Sequence, residues 1–92
     1  MRTVRLRITG RVQGVSYRAW AVEQAVAQGL GGWVRNRRDG SVEALLAGPA
    51  EAVEAMIAAC RRGPRAARVE GVTESPAEGE DPGSGFRQLP TA

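Results

Sequence analysis

The chain has 92 residues, a formal net charge of +3, one cysteine and no histidine, and all 13 of its basic residues are arginine. A chain this short suits one compact domain, 1–92, and a hydrophobic fraction of 42 % is that of a globular protein rather than a disordered one. Without histidine or lysine it can build no Ser-His triad, histidine-bearing metal site or Schiff base, and the lone Cys60 excludes an intramolecular disulfide framework and points to a reducing compartment, the cytoplasm.

Val4, Leu6 and Ile8 alternate with Arg5, Arg7 and Thr9, the period of a strand with one buried face. Gly10 to Gly14 breaks that pattern. Tyr17 to Gln28 is alanine-rich and reads as a helix whose inner face carries Ala21, Val22, Ala25 and Val26. Ser16 is its expected N-cap and Gly29 its terminator. A second strand is expected over Leu30 to Arg37. Arg38-Asp39-Gly40 carries the Asp-Gly hairpin signal, and Ser41 to Ala47 returns with Val42, Ala44 and Leu46 on one side.

Pro49 suits the first turn of a second helix, along which Val53, Met56, Ile57 and Cys60 recur at helical spacing as far as Arg61, Arg62 and Gly63. A fourth strand is expected over Arg68 to Glu74. Ser75 to Gly85 reads as a polar Pro/Gly-rich loop, and Phe86 to Leu89 as a short edge strand. The order β-α-β-β-α-β predicts an α+β fold, a ferredoxin-like α/β sandwich with an antiparallel sheet and both helices on one face. A helical crossover makes the first two strands parallel, so Gln13 to Arg18 and Asn36 should share one rim of the sheet.

The stretch GRVQGVSYR, Gly10 to Arg18, joins strand to helix with two glycines and ends on an arginine. Such a loop presents backbone N–H groups at the positive end of a helix, and Gly10 and Gly14 remove the Cβ atoms that would limit how the backbone curls. Arg18 would add a planar fork for two phosphate oxygens. Equally, strand–helix connections are often glycine-rich and surface arginines often merely solvated. Asn36, before RRDG, is by type a turn-capping residue, although its amide could also orient a water without changing charge.

Two stretches resemble the signatures of the acylphosphatases: ITGRVQGVSYR (Ile8 to Arg18) and GWVRNRRDGSVEALLAG (Gly32 to Gly48). The resemblance implies hydrolysis of an acyl phosphate to carboxylate and inorganic phosphate, with no metal and no cofactor. It implies that Arg18 binds the phosphate and Asn36 orients the attacking water. The loop residues Gln13, Gly14, Val15, Ser16, Tyr17 and Arg18 would supply backbone N–H groups. Two features depart from the family pattern. Tyr17 stands where phenylalanine or methionine is usual, so its hydroxyl needs a partner, and Gln88 and Pro90 interrupt the aromatic-aliphatic-basic ending of the last strand.

The alternative is a catalytically silent ferredoxin-like module that binds an anion or RNA. RNA-binding sheets display stacking aromatics on central strands, and here Trp33 has no such companion, so nucleic acid is not expected as a partner. Cys60 followed by Arg65 is one residue short of a cysteine-phosphatase cradle, and its helical spacing gives it a core role. No apolar run reaches the length of a membrane span. The protein is expected to act as a monomer.

Overall fold

The computed structural model describes residues 1–92. The elements are β1 (Arg2–Arg11), α1 (Tyr17–Ala27), β2 (Gly31–Asn36), β3 (Val42–Gly48), α2 (Ala50–Arg62), β4 (Arg68–Pro76) and β5 (Phe86–Gln88). They form one sheet in the order β4-β1-β3-β2-β5. The first four strands are mutually antiparallel where they pair, and β5 runs parallel to β2 with Phe86 opposite Gly32 and Gln88 opposite Val34.

The sheet is therefore mixed, not wholly antiparallel as the element order predicted. The connection explains it. β4 ends at Pro76, opposite Val4, at the end of the sheet where β2 begins. Residues 77–85 cross that end, so a strand added beside β2 must run the way β2 runs. β5 stops at Gln88 rather than Leu89, although the Leu89 N–H still donates to the Val34 carbonyl at 2.9 Å. β4 is two residues longer than expected and takes in Pro76, which an edge strand tolerates because it has only one paired side.

The alternation read in the sequence sorts the two faces. Val4, Leu6 and Ile8 of β1, Val34 of β2, and Val42, Ala44 and Leu46 of β3 face the helices in a cluster of 17 buried residues. α2 contributes Val53, Met56, Ile57 and Cys60, and α1 contributes Tyr17, Ala21 and Ala25. The inner stripe of α1 is narrower than predicted. Ala21 and Ala25 lie flush in the core and Val22 packs beside them, but Val26 is 60 % exposed. Val26 lies one turn beyond Val22, in the last turn of α1, and points to solvent.

No helix covers the other face. There Glu43 lies at the centre of an arginine lattice, with Arg35 at 2.7 Å, Arg5 at 3.0 Å and Arg37 at 3.4 Å. Arg5 also pairs with Glu80, and Arg7 with Asp39. Four guanidinium groups thus meet three carboxylates on this face, and Arg87, opposite Trp33 on β5, adds a fifth guanidinium outside the ion pairs. Trp33, packed with Leu45 and Ala77, is only 8 % exposed and carries the guanidinium groups of Arg35 and Arg5 over its ring at 4.6 and 5.6 Å.

Gly10 belongs to β1 rather than to the connection that follows. It sits at a register shift against β4, with φ 117°, where an added Cβ would lie 2.2 Å from the Arg68 carbonyl oxygen. Only glycine fits this bulge. The connection to α1 is the five residues 12–16.

Candidate active site

Val12 is buried and anchors the start of that connection in the core. Gly14 has φ 74° and Ser16 φ 63°, on either side of Val15, and Ser16 is the only residue other than glycine with positive φ. Backbone of alternating hand turns successive N–H groups toward one side and makes a concavity for an anion. Ser16 occupies the predicted N-cap position, but its side chain caps nothing, while its carbonyl accepts from the Trp20 N–H at 3.0 Å. A left-handed serine costs about 1–3 kcal/mol, a strain that persists only where surrounding structure enforces it.

The N–H groups of Gly14 through Ala19 donate to no other group of the chain. They converge at the N-terminus of α1, whose first turn has no acidic side chain. Arg18, the second residue of α1, joins none of the ion pairs that occupy other arginines. A lone cation at the positive end of a helix is unfavourable by tenths of a kcal/mol, and a bound anion reverses that sign.

Asn36 closes β2. Strand alternation puts it on the same side as Val34, facing the helices, and it lies opposite Val42 in the ladder. Its carbonyl accepts from the Ala92 N–H at 3.1 Å, and its side-chain amide has no partner within the chain. Asn36 and Arg18, 18 positions apart in the numbering, line one open cavity of about 290 Å³ with Gly14, Ser16 and Tyr17. Val12, Ala19 and Gln88 complete its wall.

Two residues of the predicted loop set do not reach that cavity with their side chains. Val15 packs against the core. Gln13 turns toward the β2–β3 connection, where its Nε2 donates to the carbonyls of Arg37 at 2.7 Å and Ser41 at 2.9 Å. Tyr17 supplies the ring wall and is buried. Its phenol donates to the Cys60 carbonyl at 2.7 Å, and burial holds its pKa well above the ordinary tyrosine value.

Cys60 is no nucleophile. It is 1 % exposed, and burial pushes its thiol up to about 11, so at neutral pH it stays protonated within the core. Val12, Ala19 and Gln88 line the cavity outside the predicted set, and Gln88 is the one that comes from a distant element. A three-residue strand has no period of its own, and only the pairing with Val34 brings Gln88 to the cavity.

Residues 4–88 match the sequence model of the family Acylphosphatase. The chain belongs to the acylphosphatase family. It is 56 % identical over 89 residues to the acylphosphatase of Azorhizobium caulinodans, a match covering 97 % of this chain and 96 % of that one. It is 55 % identical over 91 residues to that of Rhodospirillum rubrum, covering 99 % of each. The crystal structure of acylphosphatase from Bacillus subtilis superposes with a TM-score of 0.92 at 31 % identity, over 97 % of this chain and 99 % of that chain. As a member of the acylphosphatase family the protein is a hydrolase, and its ferredoxin-like fold is that of the family.

Proposed function

We propose that this protein hydrolyses acyl phosphates, with the phosphate held by Arg18 and the backbone N–H groups from Gly14 to Arg18, and the attacking water oriented by Asn36. The observation that carries this reading is the cavity itself. Unpaired loop amides, a guanidinium free of ion pairs and an uncommitted carboxamide border one space of about 290 Å³.

The chemistry asks little more. The leaving group of an acyl phosphate is a carboxylate, a weak base that departs without protonation. Phosphoryl transfer through a loose transition state needs its equatorial oxygens stabilised and its nucleophile aligned. The amides and Arg18 serve the first need, and Asn36 the second. Water oxygen bonds to phosphorus as the bond from phosphorus to the acyl oxygen breaks, and that electron pair leaves with the carboxylate. Asn36 cannot accept the water proton, so it passes to a phosphate oxygen and the products are carboxylate and inorganic phosphate.

In this reading residues 1–92 act as one domain and as a monomer, in the cytoplasm, without metal. Sheet packing supports the first point, since a single core joins both helices to four of the five strands. The unpartnered Cys60, buried and reduced, fits the compartment. The open face, with Trp33 covered by arginines, offers no flat ring to a base and supports a small substrate over RNA.

The test is hydrolysis of benzoyl phosphate in the presence of EDTA, followed by absorbance, with Arg18→Ala and Asn36→Ala in parallel. Turnover that survives EDTA and falls by about 10²–10³ in each variant supports the assignment. Near-normal turnover by folded Arg18→Ala would sink it.

A further inference from the structure

We infer that Gln13 is a positioning residue that fixes the phosphate cradle relative to Asn36. The inference rests on the hydrolase reading above and goes beyond it, because it gives Gln13 a part other than touching the phosphate.

The cradle and Asn36 come from separate segments, residues 12–16 and the end of β2. Backbone hydrogen bonds do not join them, since no N–H or carbonyl of residues 12–15 is bonded to the β2–β3 connection. The hydrogen bonds that span the gap come from one side chain. Gln13 Nε2 donates to the carbonyls of Arg37 and Ser41 at 2.7 and 2.9 Å. These acceptors flank the ladder pair Asn36–Val42 on its turn side, one just beyond the end of each strand. The amide therefore grips both arms of the β2–β3 connection next to Asn36.

The turn it grips is itself well ordered by hydrogen bonds. The Arg37 N–H donates to the Ser41 carbonyl at 2.8 Å, and Asp39 Oδ1 accepts from the Ser41 N–H at 2.9 Å and from its hydroxyl at 2.6 Å. Gln13 thus ties a curled, strained loop to a rigid corner. Alignment of water with phosphorus depends on that tie, and a displacement of about 1 Å can cost 10²-fold in rate.

Each acceptor keeps a second donor if Gln13 is replaced. The Arg37 carbonyl retains the Gly40 N–H at 3.1 Å, and the Ser41 carbonyl retains the Arg37 N–H. Loss of the amide orphans no buried group, so the substitution should leave the fold standing.

The experiment compares wild type, Gln13→Met and Gln13→Asn in benzoyl phosphate hydrolysis, with inorganic phosphate as competitive inhibitor and thermal unfolding as the check on folding. Met keeps the length without the donors, and Asn keeps the donors one methylene short. The expected result is a kcat lowered about tenfold or more in both, with the phosphate inhibition constant within about threefold of wild type. An unchanged kcat in folded Gln13→Met overturns the inference. So does a phosphate inhibition constant that weakens in step with kcat, which would make Gln13 a phosphate ligand. Lower melting temperatures with normal kcat in both variants would reduce it to a structural brace and overturn it too. A folded wild type with no turnover overturns the hydrolase reading first, and this one with it.

Discussion

The Tyr17 phenol and the Cys60 carbonyl meet at 2.7 Å, joining the first residue of α1 to the last turn of α2. The carbonyl is among the last four of its helix, which have no acceptor role inside the helix. The ring also meets Trp20 edge-on, with centroids 5.2 Å apart. One side chain thus holds the N-terminus bearing Arg18 against the second helix. Tyr17→Phe keeps the packing and removes the donor from a buried carbonyl. It should cost about 1–3 kcal/mol, read as a fall in melting temperature of about 4–8 °C per kcal/mol. An unchanged melting temperature would mean that the bond adds no net stability.

Arg18 is expected to act as a fork and not only as a charge. Arg18→Lys retains the cation but loses the paired N–H donors that match two oxygens. Its kcat/KM for benzoyl phosphate should fall at least about tenfold, short of the 10²–10³ expected for Arg18→Ala. Equal rates for the lysine variant and wild type would show that charge alone suffices.

Ser16 carries strain that a change of side chain can reveal. At φ 63° glycine is at ease, serine is strained, and a β-branched residue more so. Ser16→Val should destabilise by about 1–3 kcal/mol. Ser16→Gly should be near neutral or stabilising by up to about 1 kcal/mol, because relief of strain is partly offset by glycine's greater freedom when unfolded. Urea unfolding of the three proteins gives the order, and a valine variant as stable as wild type would rule out the strained geometry.

Asp39 should make stability fall in acid. Its carboxylate accepts from the Ser41 hydroxyl and N–H, which hold its pKa below the ordinary 3.8. A carboxyl whose folded pKa is depressed stabilises the fold above its unfolded value, and that contribution disappears as pH falls through the folded value. Asp39→Asn should therefore be less stable than wild type at pH 7, with the gap closing below about pH 3.8. Denaturant unfolding at several pH values measures it. A gap that does not change with pH would place the stabilisation elsewhere.

Much of this was legible from local pattern. The alternation of Val4, Leu6 and Ile8 and the spacing of Val53, Met56, Ile57 and Cys60 give buried faces directly, because period decides which side chains share a side. Arg18 and Asn36 could be brought to one rim because a right-handed crossover makes β1 and β2 parallel. What stayed hidden depends on partners far along the chain. The direction of β5 follows from where β4 ends, and the exposure of Val26 in the last turn of α1 depends on what packs there, which the helical period does not set. The aim of the Gln13 side chain is set by two carbonyls on another loop. Ser16 misled in its own way, since the serine that signals a side-chain cap here contributes its backbone conformation instead.

Gln88 borders the cavity from β5, an edge strand of three residues that pairs only with β2. The other walls come from the strand–helix connection, the first turn of α1 and the end of β2. The cavity therefore has one wall that can be rebuilt without disturbing the rest. A lineage could exchange Gln88 for a larger, smaller or apolar residue while Arg18, Asn36 and the loop amides stay in place, so that side of the cavity is free to diversify while the rest is kept.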